Sequence, residues 1–341
     1  QYDSALLGFG FYPIYKFIGT LFLNALKMII VPLVVSSIIV GVAGIGTSGG
    51  FGRLGGKTLL YYLATTFISV TIGLMVVNAI EPGIVGGEPV NDQINLTADV
   101  SAITAKVEGR GASDVVEVFI RMVPPNIVAA AANGQMLGLI FFSLLFGYFL
   151  ARIGEPYAES QYGFWQGVYE VMLRITLFIM KFAPLGVFGL VAAVVTDTGA
   201  GQFLTLMETL GWFFLSVILA LSIHMFVVMP LILRFVAGVN PLRHYRAMAP
   251  ALLTAFSTAS SSATLPLTIE CVEKNAGVSN RTSSFVLPLG STVNMDGTAL
   301  YECVAAMFIA QAYGLDLSFT QQFVIVLLAL LTSIGVAGIP S

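Results

Sequence analysis

The sequence predicts an all-α integral membrane protein with multiple transmembrane helices, re-entrant helical hairpins and discontinuous helices arranged as inverted repeats. Hydrophobic residues make up 57% of the 341 residues and charged residues only 10%, against about 25% charged in an ordinary soluble domain. The mean hydropathy is +0.91. Two short polar motifs, 260–262 (SSS) and 294–298 (NMDGT), interrupt apolar sequence in the last third. Because unpaired polar groups are costly in hydrocarbon, these motifs must face a cavity, an ion or one another.

The charge balance and the cysteines indicate which partners and which cysteine chemistry to expect. The formal net charge is -3 and the sequence shows no basic arm or acidic tail, so nucleic acid is not expected as a partner. Cys271 and Cys303 lie in apolar stretches without metal-ligand spacing, and we expect both to be buried free thiols. The expected surrounding is the lipid bilayer of a cell membrane, either plasma or bacterial inner, which the chain crosses several times.

The first part of the chain is predicted to contain two spanning helices, at 17–45 and 59–80, because both runs are apolar and long enough to cross a bilayer. A Gly-rich loop with basic residues separates them at 46–58. Residues 83–122 are mixed and polar, with a high density of Asn, Asp and Glu. We expect this segment to be an excursion into solvent.

Three further apolar stretches follow, at 126–150, 165–195 and 203–237. Asn, Gly and Gln at 133–135 interrupt the first of them, so this helix is predicted to be broken near its middle. The other two are long enough to cross the membrane with some tilt. The segment 196–199 (TDTG) is the predicted connection between them.

The serine motif is predicted to be the tip of a re-entrant hairpin. Basic residues precede it at 243–246 and follow it at Lys274 and Arg281, and the positive-inside rule puts both groups on the cytoplasmic side. The apolar sequence between these groups can enter the membrane and return as two half-helices. It is too short for two full crossings.

A discontinuous helix and a second hairpin are predicted after the first. The apolar run 282–313 contains Asn, Asp and Gly near its centre, which favours an unwound turn at 294–297. Residues 319–341 begin as an apolar arm and end in small residues, as expected of a second tip. Such breaks expose carbonyls and helix termini at membrane depth, where transporters use them to hold ions and charged substrates. Another broken helix would follow Ser341 in this repeat.

With these motifs the chain resembles the glutamate transporter family, which includes excitatory amino-acid transporters, neutral amino-acid exchangers and bacterial and archaeal sodium or proton symporters. The resemblance implies a secondary active symporter that imports glutamate or aspartate with sodium and a proton, and not an enzyme. It also implies a homotrimer with elevator-type alternating access, in which a mobile domain carries the substrate across the membrane. The matching segments are 27–32 (KMIIVP), 133–135 (NGQ), 258–266 (TASSSATLP), 287–290 (LPLG), 294–302 (NMDGTALYE) and 338–340 (GIP).

The resemblance further implies how the chain divides between a fixed scaffold and the mobile transport domain. Residues 1–58 would be scaffold helices, and 83–200 would be the polar loop followed by further scaffold helices. The transport domain would contain one helix at 59–82 and another at 201–240. Its core, with the first hairpin, the broken helix and the start of the second hairpin, would occupy 241–341.

Six residues are expected, by resemblance, to bind the amino-acid substrate. Ser261 and Ser262 would cap the substrate carboxylate from the cytoplasmic side together with the tip backbone, where N–H groups suit an anion. Without the resemblance, packing between serine-rich helices is an open alternative. The second tip would be the outer gate, where glycine lets backbone approach a ligand closely. The full set is Ser260, Ser261, Ser262, Thr298, Ala337 and Gly338.

Three sodium sites are implied by the same resemblance, built from the oxygen ligands that hard cations prefer. Asp296 is a carboxylate at membrane depth that needs a counter-ion, and sodium is the simplest one. Without the resemblance, Thr65 and Thr66 could instead bond their own helical turn. The sites are Gly290 with Asn294; the backbone carbonyls of Thr292, Met295, Ser333, Ile334 and Val336; and Tyr62, Thr65 and Thr66 with Asn294 and Asp296.

Glu302 is the expected site of proton coupling. It follows Thr298 by four residues and so lies on the same helical face, beside the substrate. A buried carboxyl group there can load and release a proton, although pairing with a neighbouring residue is the structural alternative. An acidic residue here resembles the proton-coupled branch that exports potassium, whereas neutral exchangers carry Gln. Archaeal members carry Arg where this chain has Ala259, and in the branches without it the Arg is expected in the family's last helix. Selectivity for acidic substrates is therefore inferred here from Glu302 alone.

Several alternatives stay open at this point. A neutral amino-acid exchanger and a C4-dicarboxylate symporter belong to the same class of carrier. An intramembrane hydrolase would need a basic partner for Ser261 or a second Asp for Asp296, and an ion channel would not need asymmetric hairpins. His224 and His244 are expected to be structural or solvated, because no carboxylate is near His224 in the sequence and His244 lies in a basic loop.

Overall fold

Helices account for nearly all of the structure, a computed structural model that describes residues 5–6, 9–47, 53–91, 120, 122–198 and 200–333. This confirms the all-α class. Within the described ranges the only strands form two short antiparallel hairpins, β1 (Ala5–Leu6) with β2 (Phe9–Gly10) and β3 (Ile84–Val85) with β4 (Glu88–Pro89).

Thirteen α-helices and two π-helical turns have both of their ends in the described part of the chain. They are α1 (Phe11–Thr47), α2 (Arg53–Ile80), α3 (Ile127–Ala132), α4 (Met136–Leu150), α5 (Tyr157–Met180), α6 (Ala183–Thr198), α7 (Ala200–Ile223), π1 (His224–Val228), α8 (Met229–Phe235), α9 (Pro241–Thr258), α10 (Ser261–Glu270), π2 (Cys271–Asn275), α11 (Asn280–Val293), α12 (Asp296–Ala312) and α13 (Phe319–Ser333).

Three stretches are helical, apolar and long enough to cross a membrane. They are Phe11–Gly44 in α1, Leu54–Ile80 in α2, and Phe203–Phe235, which runs through α7, π1 and α8. Each coincides with a predicted span, so the multi-pass membrane character is confirmed. The helices α4 and α13 are apolar but shorter, as expected of the later half of a broken helix and one arm of a hairpin.

The predicted span at 165–195 is not one straight helix. It falls on α5 and α6, which meet at an angle of 56° with Lys181 and Phe182 between them. Pro184 explains the bend, because a continuous helix would need its missing N–H to donate to the Met180 carbonyl, and the proline ring would clash with that carbonyl. The predicted span is therefore a bent pair of helices rather than one continuous helix.

The break predicted at 133–135 is confirmed. The helix α3 begins at an Asn126 cap, whose side chain accepts hydrogen bonds from the backbone N–H groups of Val128 and Ala129. It ends after six residues, at Ala132. Gly134 then takes a left-handed conformation, with φ of 66°, which glycine adopts without steric cost. The chain resumes as α4 at Met136.

The serine motif lies at the turn of a helical hairpin, as predicted. The arms α9 and α10 pack against each other, and π2 continues the second arm. Asn240 caps the first arm by accepting from the N–H of Arg243. Ala259 ends that arm in the left-handed region, with φ of 47° and ψ of 31°. Ser260, with extended backbone, starts the second arm.

The helix that carries the NMDGT motif is broken, as predicted. Asn294 and Met295 separate α11 from α12 and have non-helical backbone, with ψ values of 78° and 55°. After Tyr313, the chain turns and returns as α13, which packs on α12. The predicted second tip lies outside the described residues, since α13 is described only as far as Ser333.

Eight of the helices pack in two groups. The first consists of α1 with α4, α5 and α6. The second consists of α2, α7, α12 and α13, which share an apolar core that includes Val77, Ala220 and Val304. A Cβ atom at Gly73 would lie 3.1 Å from side-chain atoms of both Leu300 and Val304, so glycine allows α2 to approach α12 closely. The division into scaffold and transport segments stays a prediction, and it follows the same grouping.

Candidate ion and substrate site

Asp296 lies at the break of the discontinuous helix, and its carboxylate is contacted by polar side chains of two other helices. Its Oδ1 atom lies 2.6 Å from Thr66 Oγ1 and 3.5 Å from Thr65 Oγ1 of α2. Its Oδ2 atom lies 3.2 Å from Nε2 of His224. The Asp296 side chain is 14% exposed. The carboxylate is therefore held between α2 and π1 with little access to solvent.

The face of α2 next to Asp296 is lined by hydroxyl groups. Thr65, Thr66 and Ser69 are all buried, and Ser69 donates to the backbone carbonyl of Asp296 over 2.9 Å. Residues three and four apart share one face of a helix, which is why Ser69 reaches the same helix end as the threonine pair. These hydroxyls give α2 a polar stripe at the point where α12 begins.

The cluster has more oxygen acceptors than hydroxyl protons. The single proton of the Thr65 hydroxyl is within reach of the Tyr62 carbonyl at 3.1 Å, Asn294 Oδ1 at 3.3 Å and Asp296 Oδ1 at 3.5 Å. That proton serves one of these acceptors at a time, and Asp296 Oδ1 also accepts from the closer Thr66 hydroxyl. Four side-chain oxygens, of Thr65, Thr66, Asn294 and Asp296, therefore share two hydroxyl protons. Clustered oxygens of this kind in a buried site suit a hard cation.

The ligand types fit an alkali cation better than a transition metal. Hydroxyl, amide and carboxylate oxygens suit hard cations, whereas transition metals favour imidazole and thiolate. In the part of the chain that the structure describes, no three His, Cys, Asp or Glu side chains are grouped so that they could hold a metal ion. Asp296 supplies one negative charge, which matches a monovalent ion.

Tyr62 and Gly290 join the same face of α2 to α11. The Tyr62 hydroxyl donates a 2.6 Å hydrogen bond to the carbonyl of Val286. A Cβ atom at position 290 would lie only 2.8 Å from that hydroxyl oxygen. Gly290 therefore lets the last turn of α11 approach Tyr62. Its own carbonyl accepts from the N–H of Asn294 over 3.1 Å.

The first hairpin tip presents the start of α10. Ser260 is buried, and its Oγ atom accepts from the N–H of Ala263, so this hydroxyl caps the helix. Its carbonyl accepts from Thr264 Oγ1 over 2.8 Å. Ser261 is exposed at the first position of α10. Of the two serines, Ser261 is the one that presents an exposed side chain.

Glu302 lies one helical turn beyond Thr298 on α12. Its Oε2 atom accepts a 2.5 Å hydrogen bond from the hydroxyl of Thr332, near the described end of α13. Both residues are partly buried. Pairing with a neighbour was the structural alternative for Glu302, and the neighbour in this structure is a neutral hydroxyl.

The family model described as the sodium:dicarboxylate symporter family matches residues 10–341. The chain belongs to this family. It is 37% identical over 323 residues to the proton/sodium-glutamate symport protein of Geobacillus stearothermophilus, a match that covers 95% of this chain and 74% of that protein.

Other relatives come from bacteria and animals. The chain is 36% identical over 324 residues to the proton/glutamate-aspartate symporter of Escherichia coli (strain K12), covering 94% of this chain and 72% of that protein. It is 34% identical over 366 residues to excitatory amino acid transporter 3 of Homo sapiens, covering 96% of this chain and 69% of that protein. The resemblance inferred from the motifs is confirmed, and so is the expectation that this symporter is a transporter rather than an enzyme.

The structure of this symporter brings together four of the predicted sodium ligands, namely Thr65, Thr66, Asn294 and Asp296. Ser333 is buried, and its hydroxyl donates to the carbonyl of Leu330 over 3.0 Å. Other predicted site positions fall outside the described part of the symporter: the side chains of Ser262 and Thr292, and the whole of Ile334, Val336, Ala337 and Gly338.

His224 is the site residue that sequence reasoning missed in this symporter. A structural or solvated histidine was expected, because no carboxylate is close to it in the sequence. The structure instead buries it, with 7% exposed, and places it against Asp296, 72 positions away. A signal was available, since an ionisable residue in a transmembrane segment is a functional candidate with a partner to be found, and Asp296 had been singled out on that ground.

Proposed function

We propose that this symporter imports glutamate or aspartate across the cell membrane, coupled to sodium and to a proton. Family membership supports a symporter. The bacterial relatives are named as symporters of glutamate, or of glutamate and aspartate, that use protons or sodium as coupling ions. Glu302, on α12 and close to the predicted substrate position Thr298, favours the acidic branch over neutral exchangers.

The observation that carries the sodium part is the cluster of side-chain oxygens beside Asp296, which outnumber the hydroxyl protons that they share. A sodium ion would take oxygens from Thr65, Thr66, Asn294 and Asp296 as ligands, and the two hydroxyl protons would turn away from it. It would also neutralise a carboxylate that is expensive to keep charged at membrane depth. Tyr62 would contribute through its backbone carbonyl, since its hydroxyl donates to Val286.

Two further sodium positions are proposed from the family resemblance. The first uses Gly290 and Asn294, whose backbones meet at the end of α11. The second uses backbone carbonyls on the two sides of the break and at the second tip. Its members are Thr292, Met295, Ser333, Ile334 and Val336.

The substrate would lie between the two hairpin tips and the start of α12. Backbone N–H groups at the beginning of α10 suit a carboxylate, and the exposed Ser261 stands at that position. Ser260, Ser262 and Thr298 would complete the inner side. The outer side would be closed by Ala337 and Gly338 in the second tip.

Sodium would promote substrate binding because both ligands order the same break. An ion at Asp296 fixes α2 against Asn294 and the first turn of α12, and Thr298 belongs to that turn. A ligand that binds only the ordered form also strengthens the binding of the other ligand, and the effect is reciprocal. Coupled uptake follows if the loaded site crosses the membrane and the half-loaded site does not.

The movement is proposed to be of the elevator type, within a homotrimer. The helices α1, α4, α5 and α6 would form the fixed scaffold, while α2 and α7 to α13 would move with the bound substrate. Glu302 would carry the proton inward, and potassium would return on the empty carrier. The two packing groups of the fold support this division for α1, α4, α5 and α6 on one side and for α2, α7, α12 and α13 on the other.

Radiolabelled aspartate uptake into proteoliposomes tests the proposal. We expect uptake to require an inward sodium gradient and to increase when the outside pH is lowered. Unlabelled glutamate should compete, whereas serine, alanine and succinate should not. Competition by serine or alanine would instead support a neutral exchanger, and competition by succinate would support a C4-dicarboxylate symporter. Uptake that depends on neither sodium nor pH would contradict ion coupling.

A further inference from the structure

We propose that His224 is a positioning residue for the cation site, which holds Asp296 Oδ2 so that only Oδ1 is presented to the ion. This inference rests on the proposed sodium coupling. The two contacts of the carboxylate are on separate oxygens, Thr66 on Oδ1 and His224 on Oδ2. A carboxylate fixed in this way offers the ion one oxygen in a defined direction.

The tautomer of His224 follows from its surroundings. A carboxylate oxygen accepts hydrogen bonds, so the Nε2 atom that faces Asp296 carries the proton. The Nδ1 atom is buried and has no hydrogen-bond partner among the described residues. A proton on Nδ1 would be a buried donor without an acceptor, which is costly. A ring with its proton on Nε2 therefore fits this contact.

A π-helical turn brings His224 to this position. In the run His224–Val228 the N–H of Met229 donates to the His224 carbonyl, five positions earlier, instead of four as in an α-helix. Such turns widen a helix and are frequent at functional sites. In the span that runs through α7 and α8, π1 begins at His224, the residue that contacts Asp296.

The first hairpin holds this π-helical turn. Tyr245 of α9 donates a hydrogen bond to the carbonyl of Met225, the second residue of π1. The contact thereby connects three elements, from the hairpin arm through π1 and His224 to Asp296. We infer that Tyr245 acts on the cation site only through His224.

Sodium titrations of purified variants test the role of His224. In proteoliposomes, His224→Leu should raise the half-saturating sodium concentration about tenfold, because a bond to a charged group is lost. His224→Gln should stay close to the wild type, since its side-chain amide can donate to the same oxygen. His244→Gln, on the other histidine, is the matched control and should leave sodium dependence unchanged.

A double-mutant cycle tests the connection to the hairpin. Tyr245→Phe alone should raise the half-saturating sodium concentration by a smaller factor than His224→Leu. Combined with His224→Leu it should add nothing, because the ring through which it acts is already missing. Additive effects would overturn the connection. If His224→Leu does not fold, Tyr245→Phe alone still tests the inference through its effect on the half-saturating sodium concentration.

A binding measurement separates this inference from the proposed function. The measurement replaces choline chloride by sodium chloride at constant ionic strength and follows the melting temperature in detergent. Sodium should raise the melting temperature of the wild type and of His224→Gln. It should raise that of His224→Leu by a smaller amount. Sodium stabilisation without aspartate uptake would refute the proposed function and leave the inference intact. The inference would be overturned if sodium raised the melting temperature of His224→Leu as much as that of the wild type. It would also be overturned if His224→Leu and His224→Gln lost the same share of this sodium-dependent rise.

Discussion

The hydroxyl of Thr332 donates a 2.5 Å hydrogen bond to Glu302 Oε2 and joins the broken helix to the arm of the second hairpin. The same hydroxyl is 2.8 Å from the carbonyl of Leu328, in its own helix. One proton serves one of these acceptors at a time. If Glu302 takes up a proton, it becomes the donor to Thr332, and the Thr332 proton can turn to Leu328. Protonation would thus reverse the bond without breaking it.

The first prediction concerns the proton. Glu302→Gln should make aspartate uptake independent of pH, because the side-chain amide donates permanently as the protonated acid would. Exchange of internal for external aspartate should be retained, since it requires no net proton movement. Uptake and exchange are measured in proteoliposomes over a series of pH values at saturating sodium.

Glu270→Gln is the matched control for Glu302. Glu270 is exposed, and it pairs with Lys274 at 2.8 Å on the second arm of the first hairpin. Loss of its charge should leave the pH profile unchanged. A pH profile of Glu302→Gln that matches the wild type would remove Glu302 from the proton pathway.

The second prediction concerns the cation ligands on α2. Thr66→Val keeps the shape of the side chain but removes the hydroxyl that lies 2.6 Å from Asp296. The half-saturating sodium concentration should rise about tenfold, because the ion loses one oxygen ligand and Asp296 loses a donor. It is measured from aspartate uptake at increasing sodium and constant ionic strength.

Thr71→Val provides the comparison within the same helix. Its hydroxyl donates to the carbonyl of Phe67, one turn back, and does not contact Asp296. Sodium dependence should therefore match the wild type. If Thr66→Val and Thr71→Val gave the same sodium dependence, the cluster around Asp296 would not be the coupling site.

The sequence predicted the breaks of the helices better than the partners across them. Asn133, Asn294 and Met295 lie at breaks because local turn-forming residues mark an interrupted apolar run, and that information is local. The contact of His224 with Asp296 depends on how α7 and π1 pack beside α12. No local pattern specifies that packing.

The bend between α5 and α6 was predictable from one residue. Pro184 follows Met180 by four positions, which is the spacing at which proline breaks a helical hydrogen bond. Apolar length alone favoured a straight span there. The capping role of Ser260 was likewise predictable from a local signal, since serine is a preferred residue at the start of a helix.

The third prediction concerns the junction of α2 and α11. Gly290→Ala should lower the melting temperature, because the added Cβ would lie 2.8 Å from the buried Tyr62 hydroxyl and displace it from the Val286 carbonyl. Crowding of this kind costs roughly 1–3 kcal/mol. Thermal unfolding in detergent measures the loss, with Gly211→Ala as control, since a Cβ there meets no heavy atom within 4 Å.

Tyr62→Phe identifies the cause of that loss. Alone, it removes the hydrogen bond to Val286 and should destabilise modestly. Combined with Gly290→Ala, it removes the atom that the new methyl group meets, so the double variant should be more stable than the sum of the single losses predicts. Strict additivity would show that the Gly290→Ala effect has another origin.

The fourth prediction concerns the hairpin tip, where Ala259 holds a left-handed conformation with φ of 47°. An L-residue with a side chain is disfavoured there by roughly 1–2 kcal/mol, whereas glycine is the preferred residue after the end of a helix. Ala259→Gly should therefore raise the melting temperature in the absence of ligands. Ala255→Gly, inside α9, should lower it, because glycine in a helix interior costs about 1 kcal/mol relative to alanine. Opposite signs for the same chemical change would locate the strain at the tip, and a loss of stability in both variants would show that Ala259 carries none.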